Sequence, residues 1–197
     1  MTKFPVSDYP PVQGLTLCIA DQDQVLRLEY DAAMTRHRSA SWWGTAVGFR
    51  AMQRAALALS DDYLWSRDGL RLISGHPGPG VLDALNYVTA CIDRGRCTVM
   101  QNPDCEYRCH AGMKFEWWVS DHQKTAHIRL REDFVPAVFF SLLERIAGGA
   151  ASEEDQWALE SWKVNLSARI WSESLEQSFS VSYLDPLTSV PLPLASA

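Results

Sequence analysis

Apolar residues recur every three or four positions in several parts of this chain, which is the pattern of amphipathic helices. The pattern predicts a helix that begins at Asp21 or Asp23 and ends around Arg38–Ser41, and a second helix from Trp42 to Leu59. A short apolar helix that ends near Cys91 follows. Two further helices are predicted near the C-terminus, over residues 134–146 and 153–172.

Strict alternation of apolar and polar residues marks two neighbouring strands, because successive side chains of a strand point to opposite faces. The alternating apolar positions are Met113, Phe115 and Trp117, and then Ala126, Ile128 and Leu130. The turn of residues 120–124 joins the two strands into a hairpin. Further strands are predicted at residues 70–73, 97–100 and 179–183.

These elements predict a single α+β domain, in which helices pack on an antiparallel sheet. Residues 1–20 contain three prolines and show no periodic pattern of apolar residues. They are expected to be an extended N-terminal arm. The domain itself is expected to cover residues 21–185, and the Pro-rich residues 186–197 are expected to be a loose tail.

The helix near the C-terminus has an N-terminal signal and two apolar faces. Ser152 and Asp155 have the spacing of a capping box. A helix that buries two faces usually lies between two packing partners, so a homodimer is expected. One apolar stripe contains Trp157, Val164 and Trp171, and the other contains Leu159, Trp162, Leu166 and Ile170.

Composition and charge exclude several classes of protein. A net charge of −6 and a pI near 5.3, without any Lys/Arg run, give no surface suited to nucleic acid. The sequence contains no run of about 18 apolar residues, so no membrane-spanning helix is predicted. Residues 1–15 lack the apolar core of a secretory signal. The cytoplasm is therefore the expected compartment. Five cysteines in a reducing compartment favour free thiols or metal ligands over a disulfide framework.

The segment from Ser74 to Cys97 contains the first group of candidate site residues, placed around one short helix. His76 lies in a Gly/Pro loop and is interpreted as a metal ligand, an acid/base or an exposed turn residue. Cys91 is interpreted as a thiolate nucleophile, a metal ligand or a buried thiol. Asp83 either orients a ligand or interacts favourably with the dipole of the helix N-terminus.

A second group, Cys105, Cys109 and His110, follows Cys97 at a spacing typical of zinc sites. The Cys-x3-Cys-His string is also a stretched variant of the c-type haem attachment motif, so haem is the alternative to zinc. A loop of free or redox-active thiols is the third interpretation. Trp42 is a candidate for stacking on a flat ligand, for a dimer interface or for core packing.

The order of several segments resembles the E-subunit family of formylmethanofuran dehydrogenase. Residues 47–51, Val-Gly-Phe-Arg-Ala, are similar to that family's Gly-Tyr/Phe-Arg helix, and residues 83–91 are similar to its Asp-Ala-Ile-Gln…Thr-Gly-Cys helix. Residues 125–130 and the segment from Glu153 to Val181 resemble its hairpin and its closing helix and strand. The resemblance covers residues 25–183 and implies a dimeric α+β core with a metal-binding cysteine/histidine site.

The chain departs from the family pattern at the expected ligands. The His-Gly-His-x-Cys-Pro-Gly stretch is replaced by residues 38–44, with Ala40 at the second histidine and Trp42 at the cysteine. Gly80 stands where another cysteine is expected, so Cys91 is the remaining core thiol, and the C-terminal zinc-binding segment of many members is absent.

The resemblance implies a metal- or metal-cofactor-binding protein, accessory to or associated with an oxidoreductase complex. One alternative is a metal- or thiol-dependent enzyme with a remodelled Cys91/His76 pocket and a small-molecule substrate. Two further alternatives are a haem-binding protein and a purely structural dimer. No Gly-x-Ser-x-Gly, P-loop, dinucleotide-binding or His-Glu-x-x-His motif identifies a reaction.

Overall fold

The computed structural model describes residues 2–36, 42–100 and 112–187. The strands are β1 (Val12–Gln13), β2 (Thr16–Asp21), β3 (Gln24–Glu29), β4 (Arg71–Ser74), β5 (Cys97–Val99), β6 (Glu116–Ser120), β7 (Thr125–Leu130) and β8 (Phe179–Leu184). The helices are α1 (Tyr30–Arg36), α2 (Trp42–Leu59), α3 (Pro79–Thr89), α4 (Ala137–Ala147), α5 (Glu153–Ser172) and α6 (Leu175–Ser178).

The larger sheet has five strands in the order β5-β4-β6-β7-β8. Strands β4 and β5 pair in parallel, and every other neighbouring pair in this sheet is antiparallel. A parallel pair needs a crossover connection, and α3 lies within it. The predicted α+β class is confirmed, although the sheet is mixed at this one pair rather than wholly antiparallel.

A separate three-stranded sheet, β1-β2-β3, corrects the prediction for the N-terminal region. The helix predicted from Asp21 or Asp23 is wrong over Gln24–Glu29, because these residues pair with β2 along its whole length. Residues 12–20, predicted to belong to an extended arm, contribute β1 and β2, and Leu17 and Ile19 are fully buried. This sheet packs on α2, as part of the same core.

Helix α2 is the centre of the molecule and is buried along most of its length. It packs against α3, α5 and β7, and its small residues allow the close approach to α3. A Cβ atom at Gly48 would lie 3.1 Å from both the Cβ of Ala84 and the carbonyl oxygen of Val81. A Cβ at Gly44 would lie 3.1 Å from the Val81 nitrogen. These two glycines therefore fix where the N-terminal end of α3 lies.

The predicted hairpin is confirmed as β6 and β7, joined by residues 121–124. Trp117 on β6 faces the core and is fully buried, whereas the ring of Trp118 lies on the other face and stacks on His127 at 4.2 Å. The alternation of the sequence therefore assigns the two faces of these strands correctly.

The capping box of α5 is also confirmed, because the Ser152 hydroxyl accepts from Asp155 N and the Asp155 carboxylate accepts from Ser152 N. One face of α5, including Leu166 and Ile170, is buried. Trp157, which belongs to the other apolar stripe of α5, is 74% exposed. The homodimer that this stripe led us to expect stays a prediction. Among the described helices, none combines the length and the apolar character that crossing a membrane requires.

Candidate functional site

His76 lies in the loop between β4 and α3 and is 2% exposed, so it is not the exposed turn residue that one interpretation expected. The Ser74 hydroxyl donates to the His76 carbonyl at 2.9 Å and accepts from the His76 N–H at 3.3 Å. The imidazole packs edge-on against Phe115, with ring centroids 4.6 Å apart. The loop thus holds both the backbone and the ring of this residue.

A backbone donor determines which nitrogen of His76 carries the proton. The Gly78 N–H donates to Nδ1 at 3.0 Å, so in the neutral ring the proton is on Nε2. A histidine that ligates a metal usually donates its second ring N–H to a carboxylate or carbonyl. In His76, by contrast, Nδ1 accepts a hydrogen bond instead of donating one, and the proton is on Nε2. This arrangement suits a hydrogen-bond donor better than a metal ligand.

A small cavity adjoins His76 at the N-terminal end of α3. Its volume is about 100 Å³. Gly80, which stands where the family resemblance expects a cysteine, belongs to its wall. The described residues that line it are Trp43, Gly44, His76, Gly78, Gly80, Met113, Phe139, Leu143 and Lys163. The cavity therefore brings together α2, the His76 loop, α4 and α5.

Of the two neighbouring tryptophans at the start of α2, Trp43 and not the predicted Trp42 lines this cavity. Trp42 is 48% exposed. Trp43 is 4% exposed, and its ring lies parallel to that of Phe134 with centroids 5.9 Å apart. The buried Nε1–H of Trp43 has no hydrogen-bond partner in the described part of the protein.

Cys91 lies just beyond the opposite end of α3, in the core. Its thiol is fully buried and contacts the Leu70 carbonyl oxygen at 3.6 Å. Burial raises the pKa of the Cys91 thiol, despite hydrogen bonding to Thr89 and nearby arginines that act in the other direction. The thiolate that a nucleophile or a metal ligand requires is therefore disfavoured.

Cys97 on β5 is close enough to Cys91 for the two thiols to interact electrostatically. Burial, and then the neighbouring Cys91, raise the pKa of Cys97 to about 12. Both cysteines are free thiols. Their protonated state is typical of cysteines that pack in a core rather than of reactive ones.

Among the described residues, the structure does not bring the two ligands predicted at the ends of α3 together. His76 and Cys91 flank the two ends of an 11-residue helix, which are about 16 Å apart, so one ion cannot contact both side chains. Asp83 is on the exposed side of α3 and is not in the cavity wall. Within residues 2–36, 42–100 and 112–187, no three His, Cys, Asp or Glu side chains form a group that could hold a metal ion.

Cys105, Cys109 and His110 lie outside the described residues, so the zinc and haem predictions that rest on them stay predictions. Of the described residues that line the cavity, only His76 was predicted as a site residue, and the two others with polar side-chain atoms, Trp43 and Lys163, were missed. Trp43 was not distinguished from its neighbour, since both tryptophans fit core packing. Nothing in the sequence marked Lys163 as a site residue, because a lysine on a helix is ordinarily exposed to solvent.

A second polar pair lies on the outer face of the larger sheet, away from this cavity. His127 Nε2 is 3.1 Å from Glu116 Oε2, and both side chains are largely buried. Burial lowers the pKa of His127, and the hydrogen bond that its imidazole donates to the Glu116 carboxylate only partly offsets this. Because the imidazole also stacks on Trp118, this pair is accounted for by cross-strand packing.

Comparison with known proteins does not assign the chain to a family. No protein-family model matches the sequence, and no curated protein matches it. The resemblance to the E-subunit family of formylmethanofuran dehydrogenase therefore stays a prediction, and the function has to be argued from the geometry of the site.

Proposed function

We propose that this protein binds a small organic molecule in the cavity between His76, Trp43 and the N-terminal end of α3. The observation that carries the proposal is the composition of the wall, which combines apolar side chains with a few polar groups whose positions are fixed. His76 is fixed by Ser74 and Gly78, and the Trp43 ring is fixed by Phe134. Fixed polar groups in an apolar wall are what gives a pocket its specificity.

The proposal is for a binding protein rather than for an independent enzyme. No cysteine is among the described residues of the cavity wall, so none of the described thiols adjoins the proposed ligand as a nucleophile. His76 adjoins the cavity, but no described carboxylate lines the cavity as an acid/base partner for it. An accessory role beside an oxidoreductase, in the cytoplasm and as a homodimer, is proposed with it on the basis of the sequence.

The test uses the indole signals of protein labelled with ¹⁵N-tryptophan, titrated with a set of small neutral and charged organic molecules. A ligand in the cavity is expected to shift the Trp43 Nε1–H signal and to leave that of Trp117 unchanged, because Trp117 is buried elsewhere. Eight tryptophans give eight signals, which are assigned by Trp→Phe substitution.

A variant that fills the cavity provides the control. Leu143→Phe adds volume to the wall and is expected to abolish the shift, whereas Leu57→Phe, on the exposed side of α2, is expected to preserve it. If no member of the set shifts the Trp43 signal, or if Leu143→Phe leaves a shift unchanged, the proposed binding site is wrong.

A metal centre is the second proposal. It rests on the zinc-like spacing of Cys105, Cys109 and His110 in the sequence and on the family resemblance. Metal analysis of protein purified without a metal-affinity tag tests it. Stoichiometric zinc or iron would support it, and the absence of metal with unchanged stability after chelation would contradict it.

A further inference from the structure

Strand β8 is the last strand of the larger sheet, and one of its two sides pairs with β7 along its whole length. Phe179 lies opposite Leu130 at one end of the pair, and Leu184 lies opposite Thr125 at the other. The far side of such a strand presents backbone N–H and C=O groups to which another strand can bind. The hydrogen bonds of the pair show which residues present them.

The backbone groups of successive residues in an antiparallel pair point alternately toward the partner strand and away from it. Arg131 N donates to the Ser178 carbonyl at 2.9 Å, just beyond the end of the β7–β8 pairing. In alternation from Ser178, the residues whose backbone groups point toward β7 are Ser180, Ser182 and Leu184.

The backbone groups of Phe179, Val181 and Tyr183 therefore point away from β7. A hydrogen bond of α6 agrees with this assignment, because Phe179 N donates to the Leu175 carbonyl and not to β7. Among the residues that the structure describes, neither Val181 nor Tyr183 makes a backbone hydrogen bond on this side of the strand. The edge thus has free donors and acceptors at regular intervals.

Nothing in the sequence of β8 protects this edge. Natural proteins usually protect exposed edge strands with charges, prolines or bulges, because an unprotected edge pairs with other chains. The strand Phe-Ser-Val-Ser-Tyr-Leu contains neither a charge nor a proline, and its register with β7 is continuous. The strand at the opposite edge, β5, has 3 residues and follows Arg94 and Arg96. Of the two edges, β8 is therefore the one suited to another strand.

The order of side chains in β8 is symmetric about Val181. A serine lies on either side of Val181, and an aromatic residue, Phe179 or Tyr183, lies beyond each serine. The aromatic residues and Val181 are on the core face of the sheet, and the serines are on its outer face. A second, antiparallel copy of β8 centred on Val181 would place aromatic opposite aromatic and serine opposite serine. Such cross-strand pairs are stabilising, and no charges of the same sign meet.

The free backbone groups match in the same register. The two copies of Val181 would exchange their N–H···O=C bonds across the symmetry axis, and Tyr183 N–H would donate to the Phe179 carbonyl of the second copy. Phe179 N–H needs no acceptor there, because it is already bonded to Leu175. Both free N–H groups of the edge therefore find an acceptor on an identical strand.

We infer that this protein forms a homodimer in which β8 pairs with β8 of a second copy about a two-fold axis at Val181. The pairing joins the two five-stranded sheets into one and covers Tyr183, which is 57% exposed in the single chain. This inference deepens the homodimer that is part of the proposed function, because it names the surface. It is independent of the cavity beside His76 and of its ligand.

A pair of double substitutions on the outer face tests the interface and its register. In the dimer, Ser180 of each copy lies opposite Ser182 of the other. Ser180→Glu with Ser182→Glu brings like charges together and is expected to raise the dissociation constant of the dimer at least about tenfold. Ser180→Glu with Ser182→Lys brings opposite charges together at the same positions and is expected to retain the dimer.

Sedimentation velocity of the full chain over a wide range of protein concentrations measures the dissociation constant of each variant. Both positions are exposed, so the fold is expected to tolerate the substitutions, and circular dichroism checks this. A wild-type protein that stays monomeric at every concentration would overturn the inference. Equal dissociation constants for the two double variants would overturn it as well.

Trp157→Ser is the control for the other exposed apolar surface, the outward stripe of α5. In a dimer formed by β8, it is expected to leave the dissociation constant within about twofold. Loss of the dimer in Trp157→Ser, with no loss in the variant that carries two glutamates, would move the interface to α5 and contradict the pairing of β8. A monomeric protein would still bind a ligand in the cavity, so the two proposals fail separately.

Discussion

The guanidinium of Arg50 donates to the backbone carbonyl of Glu173 at 2.7 Å and so joins the middle of α2 to the C-terminal end of α5. The same guanidinium donates to the carbonyl of Ile170 at 3.0 Å and to Gln53 Oε1 at 3.0 Å. It also lies over the ring of Trp171. A helix leaves its last carbonyls without intrahelical partners, and here a buried cation from another helix satisfies them.

Arg50→Ala is therefore expected to destabilise the fold strongly. The substitution leaves two buried acceptors and one partly buried acceptor without their donor, and we expect the free energy of unfolding to fall by about 2–4 kcal/mol. Arg50→Lys retains the charge but has no planar fork, so an intermediate loss is expected. Chemical denaturation followed by circular dichroism measures both.

Arg145 provides a matched control for Arg50. It forms an equally short contact of 2.7 Å with Asp155, but on the surface, where solvent screens the pair. Arg145→Ala is expected to lower the free energy of unfolding far less than Arg50→Ala does. Losses of similar size in Arg50→Ala and Arg145→Ala would show that the contact of Arg50 does not anchor α5.

The elements that sequence reasoning predicted are those whose signal is local. The alternation around Trp117 assigns the faces of the hairpin, and the Ser152/Asp155 spacing marks the start of α5, because both depend only on near neighbours. The hairpin of β2 and β3 was missed for a local reason as well. Its turn has a positive φ of 56° at Gln22, where glycine or asparagine is the usual signal.

The candidate site was predicted only in part, because a cavity is a property of packing between distant segments. His76 was identified from its loop, but Trp43, Met113 and Lys163 come from three other parts of the chain. Cys91 and His76 are near in sequence, yet a rigid helix keeps them at opposite ends. Sequence spacing predicts neighbours on one face of a helix, but it does not predict which segments meet around a cavity.

Gly48→Ala tests the close contact between α2 and α3, which positions the loop of His76. Alanine is the better helix former by up to about 1 kcal/mol, but the new Cβ would meet backbone atoms of Val81, which cannot rotate away. A net destabilisation of about 1–3 kcal/mol is expected in thermal or chemical unfolding.

Gly148 is the control for this substitution. It lies at the C-terminal end of α4 with φ of −76°, which any residue adopts, and its Cβ would meet only the carbonyl oxygens at the end of its own helix. Gly148→Ala is expected to change stability by less than about 1 kcal/mol. An increase in stability for Gly48→Ala would mean that α3 shifts freely, contrary to the close packing.

The stability of the fold is expected to depend on the ionisation of Asp21. Burial alone would raise the pKa of this carboxyl, but hydrogen bonds from Arg94 and Arg67 outweigh burial and lower it below its usual value. Arg67 also donates to the carbonyls of Tyr87 and Val88, so the ion pair connects the smaller sheet to the end of α3.

Because the folded-state pKa lies below the unfolded value of about 3.9, the contribution of Asp21 is complete above that pH and is lost as the pH falls through the folded-state pKa. Asp21→Asn is expected to lower the unfolding free energy by about 1–3 kcal/mol at neutral pH and to flatten its decline in acid. Denaturation series at several pH values measure this. Asp93→Asn, at an exposed residue, should leave the curve unchanged.

Cys91 and Cys97 are expected to be inert in the folded protein. Burial raises the pKa of Cys91, and that of Cys97 is raised to about 12, so almost no thiolate forms at neutral pH at either position. Iodoacetamide should therefore leave both residues unlabelled in the native state and label both after denaturation. Mass spectrometry of the peptides resolves each cysteine separately.

This experiment also distinguishes the binding protein proposed above from an enzyme that uses Cys91 as its nucleophile. A catalytic Cys91 would need both access and a lowered pKa, and would react rapidly with iodoacetamide at neutral pH. Rapid labelling of Cys91, lost on Cys91→Ser but retained on Cys97→Ser, would contradict the burial argument and favour the enzyme. Equal inertness of the two thiols would leave the cavity beside His76 as the functional end of α3.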